Sequence, residues 1–477
     1  MSSPIWMKLI YLPGINGLRI FSAYAKAYEQ FVWAKRKVPA YRNFLEQQGF
    51  TRMRFDGMRP MLEEIPFTDK ENYVKQYGIA DRCINGKIPD QEVVIDESSG
   101  SSGIPTNWVR GKREREMNSK IIRLGIRTLY PDVPLFVINA FALGPWATGV
   151  NVTMSCVKFS KLKSLGPDKA KIINTLKSFG NDHHYLIMGY PPFLKSLVES
   201  DEVNWHDYNI TLIFGGESMT EGMRDYLLSK GIKHAYSSYG ASDIELNMAF
   251  ESEFSISLRR LLRENESLRK RILKYPGPLP MVFQYNPADF FIEVSTAGEL
   301  ILTICREGYI SPKIRYNIHD TGHTLSYKDL LKALHECGIS GDRLVKPKTD
   351  LPLLFHYGRS DNTVSFFGAN ISPNDIQEVI YQMPALASLV HSFFIQVEED
   401  QTGGKQLSIW LEKNENASEI EAGFMKQEFY NRLAYVNQDF REAIKMVPAN
   451  QQPVLRFESF QQGFFKNADI RIKLKYS

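Results

Sequence analysis

Glu97-Ser98-Ser99-Gly100-Ser101-Ser102-Gly103-Ile104-Pro105-Thr106 directly follows a short β-branched run at 93–95. Its two glycines let the backbone turn tightly and present N–H groups, and its four serines add short hydroxyl donors; together they make a cradle for phosphate oxygens. An ordinary surface connection has the same composition, so the surroundings must decide between the two. Further along, 135–138, 185–188 and 210–214 are β-branched or aromatic runs, and helical stretches at 191–198 and 221–229 follow the last two. Alternation of this kind predicts βαβ units around at least one mainly parallel sheet, an α/β fold.

On either side the pattern changes. The first part of the chain is helical, with candidates at 20–37 and, after Pro39, at 41–48. Residues 257–274 form a strongly amphipathic segment with Leu258, Leu261, Leu262, Leu268 and Ile272 near one face. This predicts a surface helix that packs its leucines on the core and solvates its arginines. Strand-like runs at 281–285, 290–294 and 299–303 predict an antiparallel or barrel-like subdomain rich in β structure. From about residue 360, a helix at 374–381, strands at 390–397 and 406–412, a long helix at 418–437 and an alternation over 470–474 read as a small α+β unit. The expected division is 1–358 and 359–477.

Composition excludes several functions. The 477 residues carry 58 Lys+Arg against 54 Asp+Glu, a net charge of +4, too weak a field to make nucleic acid or an anionic membrane the main partner. The 43% apolar and 23% charged content is that of a globular chain. Cys83, Cys156, Cys305 and Cys337 lie far apart, which suits four buried thiols in a reducing compartment and not a zinc site. Residues 1–18 lack the pattern of a leader, and the most apolar stretch, 134–150, is interrupted by Asn139, Gly144, Pro145 and Thr148. A soluble cytoplasmic protein is therefore expected. No two of the 32 glycines are two positions apart, so the G-x-G-x-x-G fingerprint is absent, as are the Walker loop and the G-x-S-x-G elbow. His335-Glu336 reads as part of a helix, and no second ligand cluster accompanies His183-His184.

The 98–106 stretch resembles the S-S-G-T-T-G-K-P-T phosphate loop of the adenylate-forming enzymes, and most nearly that of their phenylacetate–CoA ligase type. Further segments follow in that family's order. Gly215-Gly216-Glu217 resembles its G-A-E turn, and Tyr239-Gly240-Ala241-Ser242-Asp243 its Y-G-x-S/T-E. Tyr316 to Gly322 resembles Y-R-T-x-D; Gly358-Arg359-Ser360-Asp361-Asn362 with 368–373 resembles G-R-x-D-D…G-x-N-V-x-P. Near the front, 38–42 is similar to V-P-Y-Y-R, and 65–70 to L-P-F-T-T-K.

The resemblance implies a large N-terminal α/β domain, a small mobile C-terminal domain and two half-reactions. A small-molecule carboxylate attacks the α-phosphate of MgATP, giving acyl-AMP and pyrophosphate, and a thiol, usually coenzyme A, then displaces AMP. By position, Ser98, Ser99, Gly100, Ser101, Ser102, Gly103 and Thr106 hold phosphates, with Gly215, Gly216, Glu217, Gly240 and Ser242 also on the nucleotide. Asp243 binds Mg²⁺, with Glu245 sharing it, and Tyr239 lies on the adenine. Asp320 takes the ribose diol, and Arg359 adds donors to ribose or phosphate. Asp361 falls at the hinge of the superfamily and Gly368 beside the pantetheine arm. Residues 136–146 and 183–190 are expected to line an apolar or aromatic acyl pocket.

The sequence departs from the family pattern in several places. Ile104 replaces the loop lysine, Asp243 is one methylene shorter than glutamate, and the tail lacks the usual G-K turn, leaving Lys473 first and Lys466 second as the catalytic lysine. Alternatives are an amine, carrier protein or cofactor as the acceptor, or a nucleotide-binding pseudoenzyme with an assembly role; a homodimer is compatible with all of these.

Overall fold

The computed structural model describes residues 12, 14–98, 106–144, 147–275, 279–360, 363–371, 373–387, 389–399, 403–414 and 422–466. Helices Asn16–Lys37 and Pro39–Gln47 open it, followed by a minimal hairpin, β1 (Phe55–Asp56) and β2 (Arg59–Pro60). Then β3 (Val93–Ser98) and β4 (Thr106–Gly111) pair antiparallel, with Ser98 opposite Thr106. The Gly/Ser stretch therefore connects two paired strands.

The remaining strands of the large domain are β5 (Leu135–Asn139), β6 (Lys161–Ser164), β7 (His184–Gly189), β8 (Asn209–Phe214), β9 (His234–Ala241), β10 (Glu245–Phe250), β11 (Met281–Tyr285), β12 (Phe290–Val294), β13 (Glu299–Ile304), β14 (Tyr316–Leu325) and β15 (Leu353–Arg359). They form one sheet of eleven strands in the order β12-β13-β14-β15-β11-β10-β9-β8-β7-β5-β6. β6, β5, β7, β8 and β9 run parallel; every pairing from β9 to β12 is antiparallel.

The parallel half is covered on both faces, which explains its unbroken apolar runs. Side chains alternate between two cores. Phe136, Ile138, Tyr185, Ile187, Ile210 and Leu212 pack on one side with Ile172, Leu176, Leu194 and Met223 from helices. Leu135, Val137, Leu186 and Met188 face the other way, toward Ile122, Ile126 and Val152. The antiparallel half rests on the first two helices, through Phe31, Ala34 and Phe44 against Leu300, Leu302 and Ile304.

Beyond β15 lie a small hairpin, β16 (Val364–Phe366) and β17 (Ala369–Ile371), and a three-stranded sheet, β18 (Val390–Glu399), β19 (Lys405–Lys413) and β20 (Val454–Glu458). With helices Pro373–Gln382 and Ala422–Val436 they enclose a core of their own around Ile376, Ile409, Leu411, Phe429 and Leu433. The expected α/β architecture with a smaller α+β C-terminal part is thus observed.

Some local expectations change. The strands expected as an antiparallel or barrel-like subdomain are antiparallel but continue the large sheet, because β10 pairs antiparallel with both β9, which also belongs to the parallel half, and β11. Segment 257–274 is not one helix but two, Glu253–Glu264 and Glu266–Ile272, broken where the Asn265 side chain caps the second by accepting from Leu268 N. Its leucines are buried, yet so is Arg259, which donates to Met219 O and Glu221 instead of meeting solvent. Cys83, Cys156 and Cys305 are buried, whereas Cys337 is only half-buried. Strand β20 has no counterpart in the expected pattern, and 470–474 lies outside the described residues. Among the described residues no helix is long and apolar enough to cross a membrane.

Candidate functional site

A cleft of about 1250 Å³ opens where the parallel strands end. Phe141 follows β5, Tyr190 follows β7, Gly215-Gly216-Glu217 follow β8, and Tyr239 to Asp243 end β9 and make its turn. Carboxyl ends of parallel strands are where open α/β sheets bind ligands, because the connecting segments there diverge and leave space. Asp320 from β14 and Arg359 from β15 enter the same cleft, held side by side by strand register. Glu97, at the root of the Gly/Ser stretch, and Lys70 complete that wall.

Tyr239 is buried, its ring stacked on Phe283 at 5.8 Å and against His356 at 4.7 Å. Its hydroxyl donates to Asp320 Oδ2 at 2.5 Å, and His356 Nε2 lies 3.3 Å from the same oxygen. Burial, reinforced by that carboxylate, pushes the Tyr239 phenol well above its ordinary range, so it stays a donor. Asp320 is thereby oriented with acceptor capacity left for a partner in the cleft.

Asp243 sits at the tip of the β9–β10 hairpin, where Ala241 is opposite Glu245. Tyr316 donates its hydroxyl to Asp243 Oδ2 at 3.2 Å, and Lys70 Nζ stands 3.6 Å away. Glu245 does not share this place. As the first residue of β10 it turns to the interior, accepting from Tyr309 and facing Arg306 Nη2 at 3.6 Å, away from the cleft lining. Of the two carboxylates expected to share a metal, Asp243 lines the cleft and Glu245 does not. Glu245 opens β10, whose pairing turns it inward, whereas Asp243 is still in the turn between the strands.

Glu217 lines the cleft as well. Its fully buried carboxylate accepts from the Gly368 amide and from Lys405 Nζ, two groups of the C-terminal part. Gly216 has φ +83°, and a Cβ there would lie 2.5 Å from the Tyr190 ring; Gly368, with φ +85°, packs against the same ring. At Gly240 a Cβ would meet the backbone of Asn247 at 2.7 Å, so glycine permits the tight β9–β10 approach. From the expected acyl segments, Phe141, Ala142, Met188 and Tyr190 line the cleft, joined by Thr148, Val152 and Ile213. His183 and His184 do not: His183 packs on Phe136, and His184 meets Tyr130 and Thr211.

No protein-family model matches the chain. Phenylacetate–coenzyme A ligase of Aromatoleum evansii is 21% identical over 385 residues, 78% of each chain. A 2-hydroxyisobutyryl-CoA ligase, solved with 2-HIB-AMP and CoA in its thioester-forming state, superposes with TM-score 0.68 at 14% identity, covering 98% of this chain and 90% of the other. This chain has the fold of the adenylate-forming ligases. The same ligase in its post-adenylation state superposes at TM-score 0.56, again with 14% identity and the same coverage.

Within this ligase fold, Ser99 to Gly103, Asp361 and Lys473 lie outside the described residues. Ser98 and Thr106 end and begin the paired strands that flank the Gly/Ser stretch. Lys466, after the turn Gly463–Phe465, is exposed and not among the residues lining the cleft. Ser242 contributes its backbone oxygen to Arg110. Lys70, His356, Lys405 and Arg110 were not singled out as site residues from the sequence. Lys70 ends the 65–70 segment already noted for its resemblance, which was an available signal. His356 is brought in by the pairing of β15, and Arg110 and Lys405 by long-range side-chain contacts.

Proposed function

We propose that this protein is an AMP-forming carboxylate ligase that activates an organic acid, apolar or aromatic, as acyl-AMP and transfers the acyl group to coenzyme A. The observation that carries the proposal is the convergence of Tyr239 and Asp243 from the end of β9 and its turn, Asp320 from the middle of β14 and Arg359 from the end of β15 on one cleft with an apolar extension at Phe141, Met188 and Tyr190. In this reading residues 359–477 form the mobile unit, and Lys473 or Lys466 serves the first half-reaction.

The donor chemistry fits the nucleotide. Asp320 offers an acceptor-only carboxylate to a ribose diol, and Arg359 a cation to anionic oxygens. Asp243 supplies one hard oxygen, which suits Mg²⁺, a cation usually held by one or two carboxylates plus phosphate oxygens. When bound, the ion neutralises triphosphate charge, and Lys70, beside Asp243, adds a second positive group there. The acid's carboxylate oxygen then bonds to the α-phosphorus as the bond to pyrophosphate breaks, and the thiol of coenzyme A displaces AMP at the acyl carbon. Coenzyme A as the acceptor is supported by the phenylacetate–coenzyme A ligase and the 2-hydroxyisobutyryl-CoA ligase that the chain is similar to.

The test is a panel of carboxylic acids incubated with MgATP, with AMP and pyrophosphate measured in the presence and absence of coenzyme A. Acid-dependent pyrophosphate release, and AMP release that rises with coenzyme A, are expected. ATP binding without pyrophosphate exchange for any acid overturns the reading in favour of a pseudoenzyme.

A further inference from the structure

Behind the Asp243 turn lies a buried charged cluster that the proposed chemistry does not use. Arg110, on β4 shortly after the Gly/Ser stretch, is 5% exposed. Its Nη1 donates to Ile244 O at 2.8 Å and to Glu114 Oε1 at 2.8 Å, and its Nη2 to Ser242 O. Its Nε faces Asp96 Oδ2, on the opposite strand β3, at 3.4 Å. Burial works against the charge, but Glu114, Glu245 and Asp96 outweigh it and hold the guanidinium charged.

One planar cation therefore touches three places. It reaches the strand entering the Gly/Ser stretch through Asp96, it stands on the strand leaving it, and it grips the two carbonyls on either side of Asp243. With Ser242 O and Ile244 O drawn into the interior, the Asp243 carboxylate is left on the cleft side, beside Lys70 and the Tyr316 hydroxyl. We infer that Arg110 is a positioning residue that sets Asp243 for the divalent cation and couples its turn to the stems of the phosphate-binding loop. The inference rests on the nucleotide reading of the cleft, though not on which acid or acceptor is used. A lysine keeps the charge at this position but presents a point cation in place of a fork, so it cannot serve both carbonyls and the carboxylates together.

The experiment measures ATP affinity of the full chain by calorimetry, with Mg²⁺ and with EDTA, for wild type, Arg110→Lys, Asp243→Asn and the double variant, with thermal unfolding alongside. Wild type is expected to gain affinity with Mg²⁺. Arg110→Lys loses about tenfold or more of that gain, equivalent to about 1.4 kcal/mol, while its EDTA affinity stays within about twofold. A purely structural role lowers both affinities together. Because both residues act on one ion, the double variant is expected to match Asp243→Asn alone. An Mg²⁺ gain preserved in Arg110→Lys overturns the inference, as does an additive double variant or a Mg²⁺ gain untouched by Asp243→Asn. If the Mg²⁺ gain behaves as expected but no acid yields AMP, the ligase reading fails and this one stands. If AMP forms and Arg110→Lys binds MgATP like wild type, only this one fails.

Discussion

Lys405 Nζ donates to the Glu217 carboxylate, joining the first residue of β19 to the turn after β8, with side chains only 6% and 0% exposed. The Gly368 amide donates to the same carboxylate, so a single acidic group holds both C-terminal substructures against the cleft. Thr220 adds a hydroxyl bond to Glu399 at 2.9 Å nearby.

Lys405→Met leaves that carboxylate buried with the amide alone, and breaking a buried pair from one side costs about 3–5 kcal/mol. The penalty is relieved if the C-terminal part moves away and water reaches Glu217. Thioester formation is therefore expected to slow by about tenfold or more, while acid-dependent pyrophosphate exchange changes by less than about twofold. Separate assays of the two half-reactions check this, and an equal loss in both refutes it.

Tyr239→Phe keeps the ring on Phe283 and removes the donor to Asp320. A hydrogen bond to a charged group contributes about 1.5–3 kcal/mol, and the substitution leaves Asp320 with His356 Nε2 at 3.3 Å beside it. The KM for MgATP is expected to rise by about tenfold or more with the KM for coenzyme A unchanged. Steady-state kinetics with each substrate varied in turn makes the distinction.

Much of this was legible in local pattern and some was not. The parallel strands at 135–138, 185–188 and 210–214 were readable because burial on both faces makes each a short unbroken apolar run. The expected subdomain boundary within the sheet was not, since β10 joins β9 and β11 through pairings between residues such as Ala249 and Tyr285, far apart in the chain. Asp243 and Glu245 look equivalent in sequence. Only the hairpin register, with Ala241 opposite Glu245, puts one at the tip and sends the other inward. Lys405 carries no motif, because its role comes from where β19 begins relative to β8.

His323 supplies a pH dependence. It is 1% exposed and stacked on Phe355 at 4.6 Å, and burial, aided by Lys274, lowers its pKa from 6.5 to about 4. The folded state holds the ring neutral, so this contribution is fully present above pH 6.5 and is lost as the pH falls toward 4. At 1.36 kcal/mol per unit it amounts to about 3 kcal/mol. Denaturant unfolding between pH 4 and 7 is expected to show stability falling with acid, and His323→Phe to flatten that slope. An unchanged slope assigns the acid sensitivity to other groups.

Gly216→Ala tests the apolar wall of the cleft. Its φ of +83° is strained for any side chain, at about 1–2 kcal/mol, but the larger effect is steric: the new Cβ would stand 2.5 Å from Tyr190 Cε1. Tyr190 packs edge-on against Phe141 at 5.1 Å, so its displacement reshapes the acyl side and leaves Tyr239 and Asp320 alone. The KM for the acid is expected to rise about tenfold with that for MgATP within about twofold. Gly49→Ala is the control, having φ +67° and nothing within 4 Å of the added Cβ. It carries comparable backbone strain without the collision, and should lower the unfolding temperature while leaving the acid KM unchanged. If both variants shift the acid KM equally, strain and not contact with Tyr190 is responsible.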